Sequence, residues 1–326
     1  MMTLPGLPEM TKKEEDWIRI HRRITTVATA LAIAPLFLLL RDLTGQALFF
    51  IANVLLFGIC HGSLDHLQCP PDKNGQVNGL RLIAFGFVYL CLSGLVIYVW
   101  FHDPGPMLVS FLSISCLHFA LDEDKNLPFA ERLLWGFLPV LAPCFLHGQE
   151  VSQLFSFLIG SQTPFSAEMI AVLKMLGFII CGFASVFLLI DIFAAAEKRS
   201  WTAFMDAMPG VLLFASSIIL PPLLSFTLYF CWWHSLRQCI KLVASFRTEK
   251  FSLGLVKFLT TAAPLTLGSW ALSITIFLML PKTAISDDLA PQIRTIFYLL
   301  SALTVPHMVL ALIKAESTNW APSLRP

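Results

Sequence analysis

The sequence predicts an all-α membrane protein, a polytopic helical bundle of about 8–10 transmembrane helices, and three observations predict it. Hydrophobic residues make up 56% of the 326 residues and charged residues only 13%, well below the roughly 25% charged that soluble domains carry. The apolar residues fall in long runs, and a helix crossing about 30 Å of hydrocarbon needs roughly 20 of them. Lys and Arg are concentrated in alternate breaks between the runs, the pattern of a topology set by cytoplasmic retention of positive charge. Because lipid offers the backbone no hydrogen-bond partner, these spanning runs must be helical.

Residues 1–23 are polar and rich in charge, and no small-residue cleavage signature follows, which reads as a retained cytoplasmic leader. Candidate spans then run over residues 24–40, 46–61, 81–101, 107–121, 132–147, 168–192, 207–220, 222–241, 255–280 and 292–313. The seventh and eighth are separated only by Pro221-Pro222, a place for a broken or re-entrant pair. No Gly/Ser-rich, Pro-rich or highly charged linker divides the chain, so residues 24–314 form one transmembrane helical domain and 315–326 a cytoplasmic tail. With the N-terminus inside, every Lys and Arg except Arg41, Lys174, Lys282 and Arg294 falls on the cytoplasmic side. An even number of spans with both termini cytoplasmic, in a multi-pass protein of the cell membrane, fits that division.

A net charge of +1 gives no clustered basic face for nucleic acid. The eight cysteines are scattered through apolar runs without a C-x-x-C pair, and read as small buried hydrophobes. Ionisable groups inside a membrane are costly and usually have a partner or a task, which makes the histidines informative. His61 ends the second span, His118 lies near the end of the fourth, and His234 and His307 lie in the inner halves of the eighth and tenth. All four spans run outward to inward, so all four imidazoles fall toward the cytoplasmic side.

His61-Gly-Ser-Leu-Asp65 and His118-Phe-Ala-Leu-Asp122 share the pattern H-x-x-L-D, and His234 is followed by Arg237 and Gln238. Positions i and i+4 share a helix face, and a metal-bound imidazole commonly donates its second N–H to a carboxylate. Asp65 and Asp122 are therefore candidate orienters of their own histidines or of groups on a neighbouring helix. Imidazole suits Zn, Cu and Fe alike, and the scarcity of thiolates argues against iron–sulfur clusters and structural zinc. His21, His66, His102 and His147 read as structural or solvated, as does the acidic loop Asp122-Glu123-Asp124 beyond Asp122. Phe226, Tyr229, Phe230, Trp232 and Trp233 precede His234, and Phe297 and Tyr298 precede His307. Such rings pack helices, and near a metal they can line a path for a long apolar substrate.

At these residues the sequence resembles the bacteriorhodopsin-related Brp/Blh family of β-carotene 15,15'-dioxygenases, integral membrane iron enzymes. The motifs are His61-Gly62-Ser63-Leu64-Asp65-His66, His118-Phe119 with Asp122, Trp233-His234-Ser235-Leu236-Arg237-Gln238, and Pro306-His307-Met308. The resemblance implies cleavage of β-carotene into two molecules of retinal, with Fe(II) as cofactor and O₂ as co-substrate. Carried over by residue, His61, His118 and His234 match metal-ligand positions. The family pattern W-H-S-x-R-H puts a further histidine where this chain has Gln238, so the fourth ligand is Gln238 or His307. Asp65, Asp122 and Arg237 stand as the catalytic support.

The leading expectation is thus an iron oxygenase acting on a lipid-soluble carotenoid that enters from the membrane lipids, with a possible functional link to a rhodopsin. A carotenoid- or retinal-binding membrane protein without catalysis is the alternative, and a metal carrier or transporter a third.

Overall fold

The computed structural model describes residues 12–59, 62–69, 78–123, 127–161, 165–246, 248, 250–280 and 289–316. Helix α1 spans Lys12–Leu39 and α2 spans Leu43–Asn53, passing without a break into a π-helical turn, Val54–Gly58. A 3-10 turn follows at Gly62–Gln68. Then come α3 (Gly79–His102), α4 (Pro104–Asp122), α5 (Phe129–Ile159), α6 (Ala167–Glu197) and α7 (Trp201–Ile219). The next rod is composite: α8 (Pro222–Thr227), a π-helical segment Leu228–Ser235, and α9 (Leu236–Ser245). Helices α10 (Phe251–Met279) and α11 (Ala290–Glu316) complete the described chain.

Among the described residues nine helices are long and apolar enough to cross a membrane, and the chain is a multi-pass, all-α membrane protein. Its outer surface is apolar, as lipid requires: Leu80, Ile83, Phe193 and Leu278 are each at least 70% exposed. Each expected span corresponds to a rod, with three differences. Residues 12–23 of the expected leader are already helical, continuous with the first span. The span expected to end at His147 runs on to Ile159, because α5 absorbs a kink at His147 (φ −107°, ψ 29°) a few residues past Pro139 and Pro143. The span expected over 222–241 is a composite of α8, the π segment and α9, and Pro222 sits in the first turn of α8, where a missing N–H costs no helical hydrogen bond.

The core lies where α2, α4, α5, the π segment of the composite rod and α11 meet, around Phe50, Trp100, Phe111, Phe119, Leu138, Phe230 and Leu299. Helix α4 approaches α5 at Gly136, where an added Cβ would lie 2.5 Å from the Ala120 amide nitrogen, so a side chain there would push the helices apart. Helix α5 stops at Gly160 in the left-handed region (φ 72°). There Arg294 Nε donates to Phe157 O at 2.8 Å and ties α11 to the end of α5. Helices α3 and α11 run antiparallel, with Trp100 stacked on Tyr298 (4.4 Å) and Tyr89 bonded to Leu303. The ends of α4 and α11 and the start of α10 consequently lie at one end of the bundle.

Candidate metal centre

His118 sits one turn before the end of α4, His234 in the π-helical segment, and His307 two-thirds of the way along α11. The structure brings these three together from helices far apart in sequence. His118 Nε2 and His234 Nε2 face each other at 3.1 Å. The His118 ring centroid is 4.9 Å from that of His234 and 5.3 Å from that of His307. His234 is wholly buried and His118 nearly so. His61 lies outside the described residues.

Two of the rings are backed by carboxylates from other helices. Asp65, buried in the Gly62–Gln68 turn, accepts from His307 Nδ1 at 2.8 Å and 3.0 Å. Asp122, the last residue of α4, lies 3.3 Å from His234 Nδ1. Of the two pairings that the sequence allows for each Asp, the described one is the pairing with a neighbouring helix. For His307 the carboxylate commits Nδ1 as a donor and leaves Nε2 as the lone-pair nitrogen, the usual arrangement behind a metal-bound histidine, while His234 Nδ1 lies within ion-pair distance of Asp122.

Asp122 is also the hub of a charge cluster. Lys241 Nζ reaches its Oδ1 at 3.3 Å, and Arg237 Nη2 lies 3.6 Å from Oδ2. Gln238 Nε2 donates to the same Oδ2. His234, Arg237, Gln238 and Lys241 fall at i, i+3, i+4 and i+7, so one stripe of the composite rod delivers every one of these donors. The site residues Arg237 and Gln238 are therefore directed at Asp122. Arg237 also bonds Glu123 through Nη1 at 3.4 Å and Nη2 at 3.2 Å, so Glu123 is paired and not a solvated loop residue. Two acids and two bases balance here, which is what permits charge this close to a membrane core.

Of the histidines expected to be structural or solvated, three are occupied elsewhere, whereas His66 Nδ1 is buried without a hydrogen-bond partner. His21 is buried between Trp232 O and Thr25 Oγ1, at 3.1 Å from each. His102 Nδ1 lies 2.9 Å from Tyr98 O, and His147 Nε2 lies 2.9 Å from Ile218 O.

An apolar slot adjoins His118, bounded by Phe111, Ser115, Phe226, Phe230 and Thr304. Phe111, Ser115 and Phe226 also border a second cavity of about 60 Å³ that runs on past Pro139, Pro143 and Phe297. That is far below the roughly 300–1,000 Å³ of an ordinary small-molecule pocket, so a long ligand must part the helices to enter. Phe119 meets the His234 ring edge-on at 4.9 Å, and Phe230 lies parallel to it at 6.0 Å.

Sequence reasoning missed the roles of Tyr89, Glu123 and Lys241, and named Tyr229 only as one of the rings before His234. Tyr89 Oη donates to Asp65 Oδ2 at 3.0 Å, and Tyr229 is buried beside Phe119 with its hydroxyl unpartnered. The i, i+3, i+4, i+7 stripe was the available signal for Lys241.

The donors fit, in class, an ion that takes imidazole. His118 and His234 present facing nitrogens, and the two Asp–His pairs supply the outer support. Among the described residues no three of His, Cys, Asp and Glu converge into a metal-binding group by themselves.

Residues 52–313 match the family model described as beta-carotene 15,15'-dioxygenase. The chain is 25% identical over 320 residues to the probable beta-carotene 15,15'-dioxygenase Blh of Halobacterium salinarum, covering 90% of this chain and 88% of that protein. It is 27% identical over 270 residues to the beta-carotene 15,15'-dioxygenase of uncultured marine bacterium 66A03, covering 80% and 90%. No solved structure matches the chain.

Proposed function

The chain belongs to the beta-carotene 15,15'-dioxygenase family, and from that premise we propose that it cleaves β-carotene, or a closely related carotenoid, to retinal in the cell membrane. The central C15=C15' double bond breaks, and each carbon takes one atom of O₂ to become the aldehyde of one retinal. The observation that carries the reading is the cross-helix set His118, His234 and His307, two of whose rings have their Nδ1 atoms against carboxylates.

On this reading Fe(II) is held by His118, His234 and His307 together with His61, and bound iron supplies the O₂ activation that a singlet polyene cannot provide. Everything else is the work of this chain's residues. Asp65 keeps His307 in one tautomer and one orientation, and the Asp122 carboxylate faces the ring of His234. Arg237, Lys241 and Gln238 hold Asp122 in place, which makes Arg237 a positioning residue. Phe111, Phe119, Phe226 and Phe230 exclude water next to the imidazoles and give a rod-like polyene an apolar bed. The substrate enters laterally from the lipid, as its solubility requires, and a retinal-consuming partner of rhodopsin type is the natural recipient of the product. Both termini lie on the cytoplasmic side.

A second reading, carotenoid or retinal binding without turnover, is favoured by Gln238, which stands where the family pattern has a histidine and whose amide donates to Asp122. The test is turnover of β-carotene by purified protein loaded with Fe(II) under ¹⁸O₂. Two retinals per carotenoid with label in each aldehyde support cleavage. Bound carotenoid recovered intact from iron-loaded protein supports the second reading.

A further inference from the structure

We infer that Tyr89 is a positioning residue for the histidine site, acting through Asp65 on the ring of His307. The inference rests on the reading of His307 as part of an iron site and assigns a task to a helix, α3, that contributes no histidine to it.

Helix α3 is largely lipid-facing: Phe87 and Leu90, either side of Tyr89, are each 68% exposed. Its inward face is the stripe Tyr89, Ser93, Val96 and Trp100, at i, i+4, i+7 and i+11. Three polar groups of this stripe reach successive residues of α11. Trp100 Nε1 donates to Ser301 Oγ at 2.5 Å, Ser93 Oγ to Ala302 O at 2.8 Å, and Tyr89 Oη lies 3.2 Å from Leu303 O.

Tyr89 differs from the other two in having a second acceptor. Its hydroxyl is 3.0 Å from Asp65 Oδ2, the oxygen that also lies 3.0 Å from His307 Nδ1. A phenol has one proton to give, and a charged carboxylate is the stronger acceptor. Asp65 stands on a short 3-10 turn, which by itself fixes a side chain poorly. Donors from two long helices, α3 and α11, hold the carboxylate from two directions, and His307 Nδ1 is then the donor in a fixed bond. A phenylalanine at position 89 would serve packing against Phe85, 6.3 Å away, equally well. The hydroxyl is the part of Tyr89 that the site needs.

Ser93 supplies the control that separates positioning from simple stapling, because it makes the same kind of α3–α11 bond and does not touch Asp65. Full-length protein in detergent would be compared as wild type, Tyr89→Phe and Ser93→Ala, by two measurements. The first is Fe(II) affinity, titrated against a competing chelator without any turnover. Tyr89→Phe should weaken it about 10–100-fold, the usual loss when an outer-shell partner is removed, with Ser93→Ala within about threefold of wild type. The second is the ¹⁵N resonance of His307 Nδ1 in iron-free, histidine-labelled protein, assigned with His307→Gln. It should shift and broaden in Tyr89→Phe and stay in place in Ser93→Ala. Equal effects of the two substitutions, or an unmoved His307 resonance in Tyr89→Phe, would overturn the inference. Wild-type protein that binds no iron would count against the iron reading, and the resonance measurement would still decide the role of Tyr89.

Discussion

Asp122 receives four side chains from one stripe of the composite rod, and two consequences follow at the level of single residues. First, Asp122→Asn leaves Arg237 and Lys241 with a single nearby acid, Glu123. Breaking a buried pair by removing one partner costs up to about 3–5 kcal/mol, reduced here by the one-fifth exposure of Asp122. The thermal midpoint should fall and iron affinity should drop about 10–100-fold, as for loss of an orienting carboxylate. Second, Gln238 donates to Asp122, so Gln238→His should change iron affinity by less than about threefold while Asp122→Asn changes it strongly. A tenfold tightening on Gln238→His would put position 238 in the ligand set. The identity of the histidines was legible from sequence because ionisable residues stand out against apolar runs. Their partners were not, since Asp65 meets His307 across 242 positions and no local spacing records such a pairing.

The composite rod owes its use to its π-helical middle. A π turn takes one more residue per hydrogen-bonded ring than an α turn and is common at functional sites. Here it lets Phe226 face the apolar slot while His234 and Gln238 still face α4. Deleting Cys231, buried inside this segment, should remove the extra residue that the π winding accommodates, restore α-helical winding there and re-aim the side chains of Leu228–Ser235. Helix content by circular dichroism should stay constant while iron binding is lost; intact iron binding would show that the winding is irrelevant. The sequence marked this rod as a span but not its π character, and the segment packs against the second π turn, Val54–Gly58. An added Cβ on Gly58 would lie 2.8 Å from the Phe230 ring, so the two irregular segments fit each other closely. The kink that lengthens α5 was hidden because Gly148-Gln149-Glu150 reads as a loop, although the helix continues through it.

At the scale of the whole molecule, the chain order of the helices and the antiparallel α3–α11 pair put His118, His307, Asn78 and Lys250 toward one end of the bundle and Asp103 at the other. In the proposed topology the basic breaks put the first end on the cytoplasmic side. In a cysteine-free background, Asn78→Cys and Lys250→Cys should resist membrane-impermeant reagents applied from outside, whereas Asp103→Cys should react. The reverse pattern would invert the orientation. Composition and run length sufficed for the bundle itself, because a bilayer leaves the backbone few alternatives. Imidazoles from three separate helices are proposed to form one metal centre. Its most direct test is the iron content of purified protein after Fe(II) loading and gel filtration, measured on wild type and single histidine variants. Wild type, His102→Ala and His147→Ala should retain stoichiometric iron, and His118→Ala, His234→Ala and His307→Ala should each lose most of it. Equal retention in the two groups of variants, or no iron in wild type, would contradict the account.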